Sequence, residues 1–172
     1  MGTRGFVGYK KGNVINGWYN HYDSYPKHLG KVVVSQLHSM TPEKRIEFFG
    51  KVVTIHEKDE KDSFYGNHKK MAYDVDANPW NAIEKIELQS GGTFYKDGLF
   101  CEYAYIYNLD TQTLECDKGF GTAPDEGHED WFETCVDGKK LYVNLVAEIA
   151  LRSEFTLESM TDHLMKAYGG EE

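Results

Sequence analysis

The chain has 172 residues, 40% apolar, 14% aromatic and 27% charged. These values exclude collagen-like and disordered compositions and fit one domain, residues 1–172, that can bury a core without a metal or disulfide staple. Its 28 acids and 19 bases give a formal charge of −9, which disfavours direct nucleic-acid binding, since that needs a basic surface to displace counterions, and either serves solubility alone or suits a basic partner surface reached under long-range attraction.

No run of about 18 apolar residues occurs, so no membrane-spanning helix is expected. The start Met1-Gly2-Thr3-Arg4-Gly5 has no apolar run of the signal-peptide kind. Gly2 invites a myristoylation reading, but Phe6 stands where that motif wants Ser or Thr. Cys101, Cys116 and Cys135 are odd in number and form no CxxC pair, which points to a reducing compartment and a cytoplasmic location.

Residues 3–10, with Phe6, Val7 and Tyr9, predict a strand. Lys11-Gly12-Asn13 predicts the turn, and Val14, Ile15, Trp18 and Tyr19 the returning strand of a hairpin. The polar and aromatic segment Tyr19–Pro26 follows. Pro26 sits where a helix can begin, because its missing N–H costs nothing there. Leu29, Val32, Val33, Leu37 and Met40 form an amphipathic stripe. Thr41-Pro42-Glu43 signals a second helix, with Thr41 as N-cap and Ile46, Phe49 and Val53 along one face.

Residues 56–70 carry mixed charge and read as a solvated loop. Asn78-Pro79 opens a shorter helix holding Trp80, Ile83 and Ile86, closed by Gly91-Gly92. Residues 99–118 give the strongest strand signal: Cys101, Tyr103, Tyr105, Tyr107 and Leu109 on one face, Phe100, Ala104 and Ile106 on the other. Two apolar faces mark a central strand. Asp110-Thr111-Gln112 turns the chain into a partner strand with Leu114 and Cys116. A Gly-rich acidic stretch, 119–130, leads to a third hairpin around Asp137-Gly138. A last helix starts at Thr156, carries Leu157, Met160, Leu164 and Tyr168, and stops at Gly169-Gly170. The expected fold is α+β: an antiparallel sheet built from hairpins with three to four helices on one or both faces.

A candidate site emerges from the first hairpin. Its turn near residues 11–12 brings Arg4 beside residue 19 or 20, next to Asn20, His21, Asp23, Ser24 and Tyr25. That corner combines a guanidinium able to clamp an oxyanion, an imidazole able to move a proton, a carboxylate, a hydroxyl and a phenol. The same residues also suit a purely structural corner: Asn, Asp and Ser form turns on their own backbone, Asp23 or Ser24 can cap the helix at Pro26, and Arg4 can pair with Asp23. Thr3 opening a strand invites comparison with N-terminal-nucleophile hydrolases, but removal of Met1 leaves Gly2, not Thr3, at the terminus.

The seven histidines show no HExxH or Cys/His ligand spacing. No P-loop, GxGxxG or GxSxG is present, so no metal and no cofactor is expected. Asp125, Glu126, His128, Glu129, Asp130 and Glu133 form an acidic segment without the EF-hand order. It reads as a solvated loop or, with Trp131 and Phe132 adjoining it, as a partner contact, although those two aromatics equally suit the start of a core strand. Cys101 and Cys116, inside strand patterns, read as inert core thiols.

The segments Met1-Gly2-Thr3-Arg4-Gly5 and Tyr19-Asn20-His21-Tyr22-Asp23-Ser24-Tyr25-Pro26 with Leu29-Gly30 resemble an uncharacterised family of phage, bacterial and fungal genomes with an MGTRG start and a YNHxDSYPxxLG segment. The stretch Glu102–Ile106 through Asn108-Leu109-Asp110 and Leu114-Glu115 is similar to a second shared region. The resemblance implies no established activity; by analogy with small acidic phage proteins, it suggests binding and blocking a host factor. Two functions follow as expectations. One is an accessory protein that modulates a host defence protein by meeting its basic surface. The other is a hydrolase or small-ligand enzyme, with His21 as acid/base, Arg4 as anion clamp and Asp23 orienting the imidazole. A pure scaffold role is the third reading.

Overall fold

A computed structural model describes residues 2–55, 80, 86–89, 93–123, 134–136 and 138–170. Strands β1 (Gly5–Lys11) and β2 (Val14–Asn20) form the expected hairpin, closed by Gly12 at φ 57°, in the left-handed region that glycine adopts without strain. A π-turn, Pro26–Gly30, leads into α1 (Lys31–His38). Next come α2 (Pro42–Lys51), β3 (Val52–Ile55), β4 (Ile86–Gln89) and a 3₁₀ turn at Phe94–Lys96. β5 (Tyr103–Asn108), β6 (Thr113–Gly121), β7 (Thr134–Val136), β8 (Lys139–Ala150) and α3 (Leu157–Ala167) complete the order.

The main sheet runs β2-β1-β5-β6-β8, with the short β7 on the outer side of β8. The fold is α+β, but the sheet is mixed. β1 and β5 are parallel, with Gly5 opposite Tyr103 and Lys10 opposite Asn108. The hairpin-only expectation fails at this joint. Each hairpin fixes its own antiparallel pair, but residues 21–102 intervene between the first two hairpins, and a connection of that length lets the second dock in either direction. β3 and β4 form a separate parallel pair. Ile86 therefore begins a strand and does not end a helix. Residues 56–79 and 81–85, which include the expected solvated loop and most of the expected short helix, lie outside the described residues.

β5 is the central strand its sequence predicts, all six residues buried. Tyr103, Tyr105 and Tyr107 join Val7, Trp18, Leu114 and Ile149 in the larger core, which is roofed by Val33, Val34 and Leu37 of α1, Phe48 and Phe49 of α2, and Met160 and Leu164 of α3. All three α-helices thus cover one face. On the other, Ala104, Ile106, Phe6 and Val143 form a smaller core closed by Tyr95 of the 3₁₀ turn. Cys101 belongs to this second core, not to the tyrosine face, because β5 begins only at Tyr103. Val32 and Ile46 are exposed; Val34, Arg45 and Phe48 hold the buried positions expected of their stripes.

The end signals at Thr41, Thr156 and Gly169-Gly170 are borne out, while Asn78-Pro79 and Gly91-Gly92 lie outside the described residues. The Thr41 hydroxyl accepts from the Lys44 N–H at 3.3 Å and the Thr156 hydroxyl from the Ser159 N–H at 3.1 Å. Gly169 and Gly170 stop α3 at φ 71° and 73°, donating their N–H groups to the Lys166 and Met165 carbonyls.

Candidate functional site

The hairpin register places Gly5, not Arg4, opposite Asn20. This one-residue offset decides what the corner after β2 contains. Gly5 lies between Asn20 and Tyr103, and Ser24 sits directly over it: a Cβ on Gly5 would come within 2.6 Å of the Ser24 Cβ and 2.8 Å of the Tyr103 carbonyl oxygen. Ser24 is fully buried. Its N–H donates to the Thr3 carbonyl at 3.3 Å, its hydroxyl accepts from Asn20 Nδ2 at 2.8 Å, and its carbonyl accepts from the Tyr105 hydroxyl at 3.0 Å. Asn20 Nδ2 also donates to the Tyr22 carbonyl. Tyr25 packs its ring 6.1 Å from that of Tyr103.

The MGTRG start and the YNHxDSYP segment therefore lock into one another. A buried hydroxyl and amide whose partners come from the protein form a satisfied joint. No side chain caps the π-turn that follows, so neither Asp23 nor Ser24 plays the capping part.

The three residues expected to carry chemistry are engaged separately. The Arg4 guanidinium lies over the Phe100 ring, 5.0 Å from its centroid, while the Arg4 N–H donates to Glu102 Oε1 at 3.2 Å. His21 Nδ1 is 2.6 Å from the Tyr19 hydroxyl, and its ring meets Tyr22 edge-on at 4.3 Å. Asp23 is exposed, at φ 53°, and its carboxylate forms no hydrogen bond or ion pair with Arg4 or His21. The group on His21 Nδ1 is the Tyr19 phenol, not the Asp23 carboxylate. Trp131 and Phe132, with the whole Asp125–Glu133 acidic segment, lie outside the described residues.

Cys101 and Cys116 are fully buried. Burial pushes both thiols well above their usual range, and the Asp117 carboxylate adds to the effect. Neither thiol is a nucleophile at neutral pH, because the reactive thiolate is the form that burial disfavours.

Two features have little or no signal in the sequence. The first is Phe120. The β6–β8 register shifts between Lys118 and Gly121, and within this bulge Phe120 is held at φ 62°. Its N–H donates to the Gly98 carbonyl at 2.8 Å, which sets the bulge beside the 98–102 turn that carries Phe100. Phe120 and Phe100 are 48% and 44% exposed, so neither is there to fill the core. A bulge position at positive φ normally takes glycine; a bulky residue there is a backbone outlier of the kind that gathers at functional sites. The pattern Gly-Phe-Gly at 119–121 is the only signal the sequence offers.

The second is Arg45, buried in α2 without a carboxylate partner among the described residues. Its Nε donates to the Leu37 carbonyl at 2.8 Å, and its Nη1 to the Tyr107 hydroxyl at 3.2 Å and the Leu151 carbonyl at 3.1 Å. An arginine in the charged sequence of α2 reads as solvent-facing, so an apolar stripe does not find it.

Among the described residues no group of three or more His, Cys, Asp or Glu is arranged to hold a metal ion, and no helix is long and apolar enough to cross a membrane. Comparison with known proteins returns no matching family model, no matching curated protein and no matching solved structure.

Proposed function

We propose that this protein acts by binding another protein, not by catalysis, and that the Phe100–Phe120 surface with Arg4 is its contact. The observation that supports this is Phe120 itself: a large apolar side chain left 48% exposed on left-handed backbone, its N–H bonded to the turn that carries the exposed Phe100. Strain of that type costs about 1–2 kcal/mol, which burial of half the ring offsets only in part, and an exposed aromatic side chain is what an interface buries. The hydrolase reading has less behind it, because Asp23 does not orient His21 and the Asn20–Ser24 corner is occupied with holding the N-terminal segment to β5.

The partner we propose is a host protein with a basic surface, met in the cytoplasm, as a phage-type modulator of defence would require. The charge of −9 supports a basic partner through long-range attraction, and the resemblance of the MGTRG and YNHxDSYPxxLG segments to a phage, bacterial and fungal family supports the class. The test is capture of partner from host extract by the full chain and by a Phe100→Ser/Phe120→Ser variant, in rising sodium chloride. The reading expects capture to weaken with salt and to fall about tenfold or more in the variant while its circular dichroism stays that of the folded chain. Equal capture by both proteins contradicts it.

A further inference from the structure

A cavity of about 460 Å³ opens at the far end of α1 from the Asn20–Ser24 corner. Four parts of the chain converge on it: the α1–α2 junction with His38 to Pro42, Arg45 of α2, Gln112 in the β5–β6 turn, and Leu151 to Glu154 after β8. Its size is that of a small-molecule site.

Its charge is opposite to that of the molecule. Two guanidiniums, Arg45 and Arg152, stand in the wall against one carboxylate, Glu154. Arg45 is only 4% exposed, and its planar guanidinium presents a fork of donors suited to an oxyanion. Two of its three nitrogens are committed to Leu37, Tyr107 and Leu151. The third, Nη2, has no acceptor among the described residues, yet it is not among the buried polar atoms sealed from solvent without a partner. The cavity that Arg45 lines is where its remaining donors can be met. Arg152 is not held elsewhere: its side chain is 65% exposed and lies 4.0 Å from the similarly exposed Glu154, a pairing weak enough for a ligand to displace.

The start of α2 adds little, because the Glu43 carboxyl already occupies it and is held below its usual range by its own backbone N–H and by Thr41. The preference for an anion therefore rests on the guanidiniums. The His38 Nε2 donates to the Phe155 carbonyl at 3.1 Å, which ties the 152–155 segment to α1 and keeps the two sides of the cavity together.

We infer that this cavity binds a small organic anion, with a phosphate or carboxylate head held between Arg45 Nη2 and Arg152 and a body of up to mononucleotide size over Met40, Pro42 and Leu151. The site is independent of the Phe100–Phe120 contact. The full chain, isotopically labelled, is titrated with inorganic phosphate, succinate and adenosine monophosphate while amide signals are followed. At least one probe is expected to shift residues 38–42 and 151–154 and to saturate by about 5 mM, with phosphate and succinate separating the two head groups. Arg152→Ala, at an exposed position, should weaken that binding about fivefold or more without altering the melting temperature. Absence of any saturable shift, or binding unchanged in Arg152→Ala, overturns the inference.

Discussion

Gly5 and Ser24 show how two short motifs become one joint. Ser24 has room only because residue 5 has no side chain, and its hydrogen bonds reach Thr3, Asn20 and Tyr105 at once. Gly5→Ala is expected to lower stability by about 2–3 kcal/mol, because the methyl group would have to displace both Ser24 and the Tyr103 backbone. Chemical denaturation measures this directly, and a loss below about 0.5 kcal/mol would mean that the corner yields easily. The sequence marks these residues as a cluster but not its purpose. Turn-forming types suit a catalytic corner and a structural one equally, and a one-residue register offset separates Arg4, His21 and Asp23 into different contacts.

Helix ends were legible because capping depends on residues adjacent in sequence: Thr41, Thr156 and Gly169 each act within one turn. Helix faces were less so. α1 and α2 are short, and a stripe read from a few apolar residues can be misplaced around the helix, as with Val32 exchanged for Val34 and Ile46 for Phe48. The centrality of β5 was readable from two apolar faces; its parallel partner β1 was not, since nothing local specifies a neighbour so distant in sequence. Arg45 joins α1, α2, β5 and the end of β8 through Leu37, Tyr107 and Leu151. Arg45→Ala should therefore cost about 3–5 kcal/mol, leaving two carbonyls without these donors and a void beneath α2. Thermal unfolding monitored by circular dichroism checks it, and a fall of only a few degrees would contradict the role.

Across the molecule, the two cores share a set of weak acids that must stay neutral. Burial raises Cys101, Cys116, Tyr105 and Tyr168 well above their ordinary values. The folded state thus keeps protons that the unfolded chain releases from about pH 9.0 for thiols and 10.0 for phenols. This contribution to stability is complete below those values and is lost as pH rises through them toward the folded-state ones. The melting temperature should hold to about pH 9 and then fall, and Cys101→Ala/Cys116→Ala should move the onset toward about pH 10; a flat profile to about pH 11 would contradict the burial of these groups.

Partner binding through an aromatic surface kept outward against its own backbone is tested most directly at Phe120. Phe120→Gly removes the left-handed strain, about 1–2 kcal/mol, against the half-buried ring, about 1 kcal/mol, and the added freedom of glycine when unfolded, about 0.5–1 kcal/mol. Melting temperature and partner capture measured on this variant should separate: stability unchanged within about 1 kcal/mol, capture reduced about tenfold or more. Capture equal to that of the unaltered chain, or a large loss of stability that makes Phe120 a folding residue, would contradict the account.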